Sequence, residues 1–428
     1  MSDPVPFFRD LAAREARCFW LDGGGAREWS GSRSVVGWLE PDDVSLTYDA
    51  ARREVVRHAG GRSEVAGDDV FAVLADELAA GPDDASWFGY LGYACRPDLP
   101  AATGGGLPDA VWMRPSHVRM FRHDAGVSGG GSRRARPAPG TADEGSRRAR
   151  PTSDDAVVPE EYAAAFARVQ EHLHAGNTYE VNLTHRLDVD SDLDPATAYL
   201  RLRDLNPAPY AGFLQHDVPG HRAWLLSSSP ERYALVTADR VLETKPIKGT
   251  TPRGATPADD ELLRARLGTE SKFRAENLMI VDLLRNDLSM VCEPGSVEVP
   301  ALMQVESYEN VHQLVSTVRG RLADGVSTLD ALRALFPAGS MTGAPKLRTM
   351  QVIEEVEATP RGPYAGAFGW LSADGRADLG VVIRALVTAG DGRYRLGTGG
   401  GITVQSDVAD EHAETRWKAD RMLRVFDD

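Results

Sequence analysis

The chain has 428 residues, 42% of them hydrophobic and 26% charged, with a net charge of -15. Those figures fit one large globular domain or two smaller ones, and the acidic balance excludes nonspecific nucleic-acid binding. The three cysteines, Cys18, Cys95 and Cys292, are too scattered for a disulfide framework or a zinc site. No signal-like apolar run or membrane-length apolar stretch occurs, so a reduced, soluble, cytoplasmic chain is the expectation.

Residues 1–125 form a first portion in which VVGWL and VSLTYD alternate like strands. DDVFAVLADELAAG there reads as a helix and ASWFGYLGYAC as a buried strand with glycine bends. Few ionisable groups cluster in this portion, so a mainly structural or regulatory role is expected. Residues 126–156 are rich in Gly, Ser, Arg, Pro and Ala and repeat the string GSRRARP at 131–137 and 145–151. Such a composition cannot bury enough apolar surface to offset its ordering entropy, and it reads as a flexible linker.

Residues 157–428 carry the chemistry. PEEYAAAFARVQEHLHAGN reads as a helix ending at Gly176 and Asn177, and TYEVNLTHRLDV as a strand. The stretch from Arg222 to Gly254 looks like two strands and a loop, and one long helical pattern covers Pro257–Ser289. Further helices fit Thr328–Leu335, Pro345–Glu357 and Glu411–Phe426. Strands fit Gly366–Ser372, Leu379–Thr388 and Arg393–Thr398. Strands and helices mixed without a βαβ rhythm indicate an α+β fold with large antiparallel sheets.

Glu411, Glu414 and Lys418 share one helix face at i, i+3 and i+7, where Glu414 and Lys418 also suit an ordinary i,i+4 salt bridge. Glu276 lies in the apolar run NLMIVDLL, where an acid needs a partner, a hydrogen bond or a metal. Two such carboxylates suit Mg²⁺ rather than zinc. Lys248, in PIKGT, stands between an apolar residue and a glycine turn. Burial there would lower a lysine pKa and leave a neutral, nucleophilic amine; an edge-strand lysine in solvent fits the same string. In FPAGSMTGAPKLRTM, Gly339, Ser340, Thr342 and Gly343 lead into a helix start that suits a carboxylate. GTGGGI lets a ligand approach the backbone closely. His312 reads as a satisfied core histidine, whereas Arg384, in GVVIRALV, needs an anion and reads as a carboxylate binder.

SPERY (229–233), PIKGT (246–250), AENLMIVDLLRNDL (275–288), FPAGSMTGAPK (336–346), GVVIRAL (380–386) and GGGI (399–402) occur in that order. Together they resemble the chorismate-utilising enzymes: the large subunits of anthranilate and aminodeoxychorismate synthases, and the isochorismate and salicylate synthases. The resemblance covers Pro159 to Phe426. It implies an α+β fold of the anthranilate synthase component I type, with two large antiparallel sheets packed together and helices outside. It implies chorismate as substrate, Mg²⁺ held by Glu276 and Glu414, and Glu411 as a second-row acid near the metal. Tyr364, Arg384, Lys418, Thr250, Thr342, Glu180 and the backbone of Gly399 and Gly401 match the substrate-binding set. His312 matches a histidine near the ring, and Glu231 the acid that helps the C4 hydroxyl leave.

The resemblance also divides subfamilies. Anthranilate, isochorismate and salicylate synthases typically read alanine where this chain has Lys248, whereas aminodeoxychorismate synthases read lysine. That implies amination at C4 through a covalent Lys248 adduct, giving 4-amino-4-deoxychorismate. An anthranilate synthase component and a non-catalytic chorismate-binding regulatory subunit are the rival expectations. Water-using members carry lysine at position 180 and many ammonia-using members glutamine. Glu180 departs from both, and Phe273 stands where an acid is usual. WLDGG at 20–24 is not the tryptophan-feedback motif of anthranilate synthases. A glutamine amidotransferase module would need roughly 190 further residues, so a separate glutaminase partner supplying ammonia is expected.

Overall fold

The computed structural model describes residues 3–23, 33–123, 157–308 and 311–427; the linker expected over 126–156 lies outside them. The first stretches run α1 (Pro4–Arg14), β1 (Arg17–Asp22), β2 (Arg33–Trp38), β3 (Ser45–Asp49), β4 (Glu54–Ala59), β5 (Arg62–Gly67), α2 (Val70–Ala80), β6 (Ser86–Leu91), β7 (Ala110–Met113) and β8 (His117–Arg122). Then follow α3 (Glu160–His174), β9 (Glu180–Asp190), α4 (Pro195–Leu205), β10 (Tyr210–His216), β11 (Ala223–Ser229), β12 (Arg232–Val236), β13 (Val241–Lys245) and β14 (Ile247–Pro252). The chain continues through α5 (Pro257–Thr269), α6 (Ser271–Ser289), β15 (Glu298–Ser307), β16 (Val311–Arg321), α7 (Thr328–Leu335), β17 (Gly343–Ala344) and α8 (Lys346–Val356). It ends with β18 (Ala367–Ser372), β19 (Ala377–Val381), β20 (Ala385–Thr388), β21 (Arg393–Ile402) and α9 (Val408–Leu423).

Among the described residues the strands form two antiparallel sheets. One runs β17-β9-β21-β20-β11-β10-β1-β2-β8. The other runs β14-β16-β13-β12-β19-β18-β6-β7-β3-β4-β5, with β15 paired to β16. Strands from before residue 124 thus pair with strands from after residue 156: β1 with β10, and β6 with β18. The fold is the expected α+β arrangement of two large packed sheets with helices outside.

Three expectations need correction. The single helix over Pro257–Ser289 is two, because Glu270 adopts an extended conformation (φ -66°, ψ 126°) between α5 and α6. Apolar periodicity carries no mark of such a break, since Glu is a good helix former. Arg222–Gly254 holds four strands rather than two. Leu379–Thr388 is not one strand: β19 belongs to one sheet and β20 to the other.

These crossings matter. Two of the six passages between the sheets among the described strands concern the site: from β11 to β12 through Pro230 and Glu231, and from β19 to β20 through Val382–Arg384. The two passages lie side by side. The Val381 N–H donates to the Glu231 carbonyl (2.9 Å), and the Ser228 N–H to that of Arg384 (3.1 Å). Strand pairing lapses where a chain changes sheets, so side chains there are free to face a site rather than a core.

The sheets are held together by an apolar layer that includes Phe19, Phe88, Leu214, Leu225 and Phe368. Phe19 of one sheet stacks on Phe88 of the other, with ring centroids 4.0 Å apart. We expect Phe19→Ala to cost about 3–5 kcal/mol of stability, measured as a shift in the denaturant midpoint without loss of the sheet signal in circular dichroism.

Candidate active site

Lys248 is buried on β14, and its ammonium donates to Glu180 Oε1 at the start of β9. Glu180 is fully buried, and its Oε2 has no hydrogen-bond partner. The neighbouring strand makes room for this pair: a Cβ on Gly401 would lie 2.3 Å from Glu180 Oε1 and 3.2 Å from Lys248 Nζ. A side chain at 401 would press on the carboxylate end of Glu180, so glycine there gives the ion pair its room. Burial pulls the Lys248 pKa down, but Glu180, Glu276 and Glu231 together outweigh it and the net shift is upward. This overturns the expectation of an amine neutralised by burial: in the resting site Lys248 is an ammonium.

Glu231 stands at the β11–β12 crossing. Its Oε1 accepts a hydrogen bond from the Ser340 hydroxyl (2.6 Å). Burial pushes its carboxyl up to about 7, against the downward pull of Ser340, Lys248, the Ile247 N–H and Lys418. An acid tuned near neutrality can give up a proton at working pH. Glu276, on α6, is also pushed up to about 7 by burial, with Lys248 and Lys272 opposing and Glu180 and Glu411 reinforcing the rise. Its Oε1 is buried without a partner.

Helix α9 closes the site. Lys418 Nζ donates to the Gly399 carbonyl (2.8 Å) and pairs with Glu414 Oε1 (2.7 Å). Lys418 first, against the effect of burial, holds the Glu414 carboxyl below its ordinary range. Glu411 is buried and takes Lys272 Nζ (3.0 Å) and the Ser406 hydroxyl (2.7 Å) on Oε1. Arg384 adopts φ +51°, donates to the Lys418 carbonyl (3.0 Å) and stacks near Trp417. Among the described residues no carboxylate pairs with it, and burial lowers its pKa to about 10.

A protein family described as chorismate binding enzyme matches residues 16–424. The chain belongs to the chorismate-binding enzymes. It is 41% identical to an aminodeoxychorismate synthase of Streptomyces pristinaespiralis, over 98% of this chain and 62% of that protein. It therefore spans less than two thirds of that relative. It is 36% identical to anthranilate synthase component 1 of Streptomyces coelicolor, over 89% of this chain and 82% of that one. The solved anthranilate synthase component I from Streptococcus pneumoniae superposes with a TM-score of 0.72 at 26% identity, covering 93% of both chains.

Within this chorismate-binding fold the remaining expected residues are placed unevenly. Tyr364 lies over Gly397, where a Cβ would meet its ring at 2.2 Å, and burial raises its hydroxyl to about 12. Thr342 is buried, and its hydroxyl donates to the Gly339 carbonyl (3.2 Å). Thr250 pairs with Gln313 across β14 and β16. His312 is engaged at both ring nitrogens, by Ser307 Oγ (2.8 Å) and Asp260 Oδ1 (3.0 Å), as a core histidine would be. The helix expected over Pro345–Glu357 is present as α8, Lys346–Val356, with Pro345 at its N-cap. Residues 339–341 form a short 3-10 turn, Gly343 and Ala344 pair with β9, and α8 begins at Lys346.

The sequence reading missed Lys272, which ties α6 to α9 and stands one turn before Glu276. Its Lys-to-Glu i,i+4 spacing was the available signal. Phe273 also acquires a place: its ring lies 3.1 Å from where a Gly249 Cβ would stand, beneath the turn that follows Lys248.

Two outcomes are expected. Gly401→Ala should lower chorismate turnover about 10²-fold by displacing the Lys248–Glu180 pair, with the melting temperature nearly unchanged. Glu231 has a folded pKa near 7, above its unfolded value. Its contribution to stability is therefore complete below the unfolded pKa and lost as pH rises through about 7. Glu231→Gln should flatten the fall in melting temperature between pH 5 and pH 8.

Proposed function

We propose that this protein aminates chorismate at C4 with ammonia, giving 4-amino-4-deoxychorismate. The observation that carries the reading is Lys248 in a buried acid-lined site, a short way from the near-neutral carboxyl of Glu231. The 41% identity to an aminodeoxychorismate synthase over 98% of this chain supports it. In this reading the Lys248 amine attacks C2, the ring double bond shifts, and the C4 hydroxyl leaves as water with a proton from Glu231. Ammonia then attacks C4, the double bond shifts back, and the C2–lysine bond breaks. Two displacements return the new nitrogen to the original face.

Arg384 and Lys418 would bind substrate carboxylates. Arg384 suits this because it is half-buried without a carboxylate partner among the described residues. Glu276 and Glu414 would hold Mg²⁺. They fit as hard oxygen donors on facing helices, and the unpartnered Glu276 Oε1 is the kind of atom a cation satisfies. Among the described residues no three acidic, histidine or cysteine side chains close into a cage, so substrate and water oxygens would complete the coordination. When bound, Mg²⁺ would supply charge neutralisation at a substrate carboxylate. Glu411, already held by Lys272 and Ser406, would orient α9 rather than ligate. Ammonia would come from a glutamine amidotransferase partner.

The 36% identity to an anthranilate synthase component supports a second reading, amination at C2. The product decides between them. Purified protein with chorismate, Mg²⁺ and ammonium should yield 4-aminobenzoate only when an aminodeoxychorismate lyase is added; direct anthranilate fluorescence would overturn the proposal. Lys248→Ala should lose C4 amination by on the order of 10³-fold or more. Glu276→Ala should remove the dependence of turnover on added Mg²⁺.

A further inference from the structure

We infer that Glu180 is the catalytic base of this site: it takes the proton from Lys248 that frees the amine to attack, and returns it when the amine leaves. The inference rests on the reading of Lys248 as nucleophile, and assigns a step that reading leaves open.

An ammonium has no lone pair, so Lys248 must lose a proton before it can bond to carbon. Water is a poor acceptor here, because Lys248 is 8% exposed and Glu180 is not exposed at all. Among the described residues the one carboxylate within ion-pair distance of Lys248 is Glu180. The other acids facing the amine are less suited. Glu231 is bound to Ser340 and is needed in its protonated form, and Glu276 lies on α6 outside ion-pair distance. Glu411 and Glu414 face Lys272 and Lys418. Glu180 also keeps Oε2 buried and unpartnered. A carboxylate that only anchored a lysine would gain from a second hydrogen bond, and a bare oxygen leaves room for a transferred proton. The glycine at 401 leaves the contact its room, since a Cβ there would press on Glu180 Oε1.

The protons balance. Lys248 ammonium and Glu180 carboxylate become amine and carboxylic acid. The amine bonds to C2, and C4 loses its hydroxyl as water with the Glu231 proton. Ammonium entering the site reprotonates Glu231 and becomes ammonia. Ammonia bonds to C4 and the lysine departs as a neutral amine, which recovers its proton from Glu180. The sum is chorismate plus ammonium giving protonated product plus water.

The first half-reaction can be read alone. With chorismate and Mg²⁺ but no ammonia, quenched intact-protein mass spectrometry follows the Lys248 adduct as a mass gain of chorismate less water. Wild type should form it at pH 7. Glu180→Gln keeps an acceptor of the same shape but cannot take a proton. Its adduct rate at pH 7 should fall about 10²-fold and recover as pH rises towards the pKa of a free lysine. Glu180→Ala should be slow at pH 7 and restored by added formate, which a merely structural role would not produce. Chorismate binding and melting temperature, measured on both variants, identify a misfolded one; if Gln misfolds, the Ala variant with formate decides. A folded Gln variant with the wild-type rate and pH profile overturns the inference, as does a folded Ala variant that formate does not restore. No adduct in wild type, together with full turnover by Lys248→Ala, would instead remove the nucleophile reading itself.

Discussion

The site is governed by one requirement: a charge taken out of water must find another charge or a hydrogen bond. Lys248 and Glu180 meet it for each other inside the sheet seam. Glu231 meets it by shifting towards its neutral form and holding Ser340, and Glu276 by shifting alone. A buried ion pair of this kind is weak as a source of stability, because desolvation offsets the attraction. Its retention beside glycine at 401, which strands disfavour, is a sign that the arrangement serves chemistry.

The location follows from topology. Glu231 and Arg384 sit on two neighbouring passages between the sheets, β11 to β12 and β19 to β20, which bond to each other through backbone groups. A polar side chain in the middle of either sheet would be pressed into core or solvent. At the crossings the sheets hold the backbone firmly while the side chains remain unclaimed by strand packing. The left-handed conformation of Arg384 fits that position, since an arginine at φ +51° persists only where its surroundings fix it. Three of the cations gathered here are matched by carboxylates, Lys248 by Glu180, Lys272 by Glu411 and Lys418 by Glu414, and Arg384 alone of the four has no carboxylate partner among the described residues.

The fold class, the motif order and most α-helices after residue 157 were legible in the sequence, because each rests on local periodicity or on residues clustered in short strings. Thr328–Leu335 matched to the residue, helped by Ser327 and Asp330, which form a capping box. Pro195–Leu205 went unread although Asp194 and Pro195 mark its start locally; the features of the site that escaped depend on distant contacts. Nothing in LGVVIRALVT marks a change of sheet, because each half is equally apolar and the turn is made by Val382 and Ile383 rather than by glycine or proline. The raised pKa of Lys248 was invisible for the same reason: burial can be guessed from neighbours in sequence, but Glu180 lies far from it along the chain and adjoins it only in the fold.

The two departures from the family pattern belong to one rearrangement of charge around Lys248. An acid at position 273 would add a negative charge beneath the Lys248 turn, where Phe273 instead packs against Gly249. Glu180 puts a carboxylate directly on the amine. The combined effect sets one carboxylate directly on Lys248 Nζ, with Glu276 and Glu231 acting from further off, and leaves an apolar ring beneath the turn that follows. A diffuse acidic surround would hold the ammonium equally from all sides and favour no direction for its proton. A single bonded carboxylate over an apolar floor gives that proton one hydrogen-bonded acceptor, which is the geometry that the proposed activation of Lys248 uses.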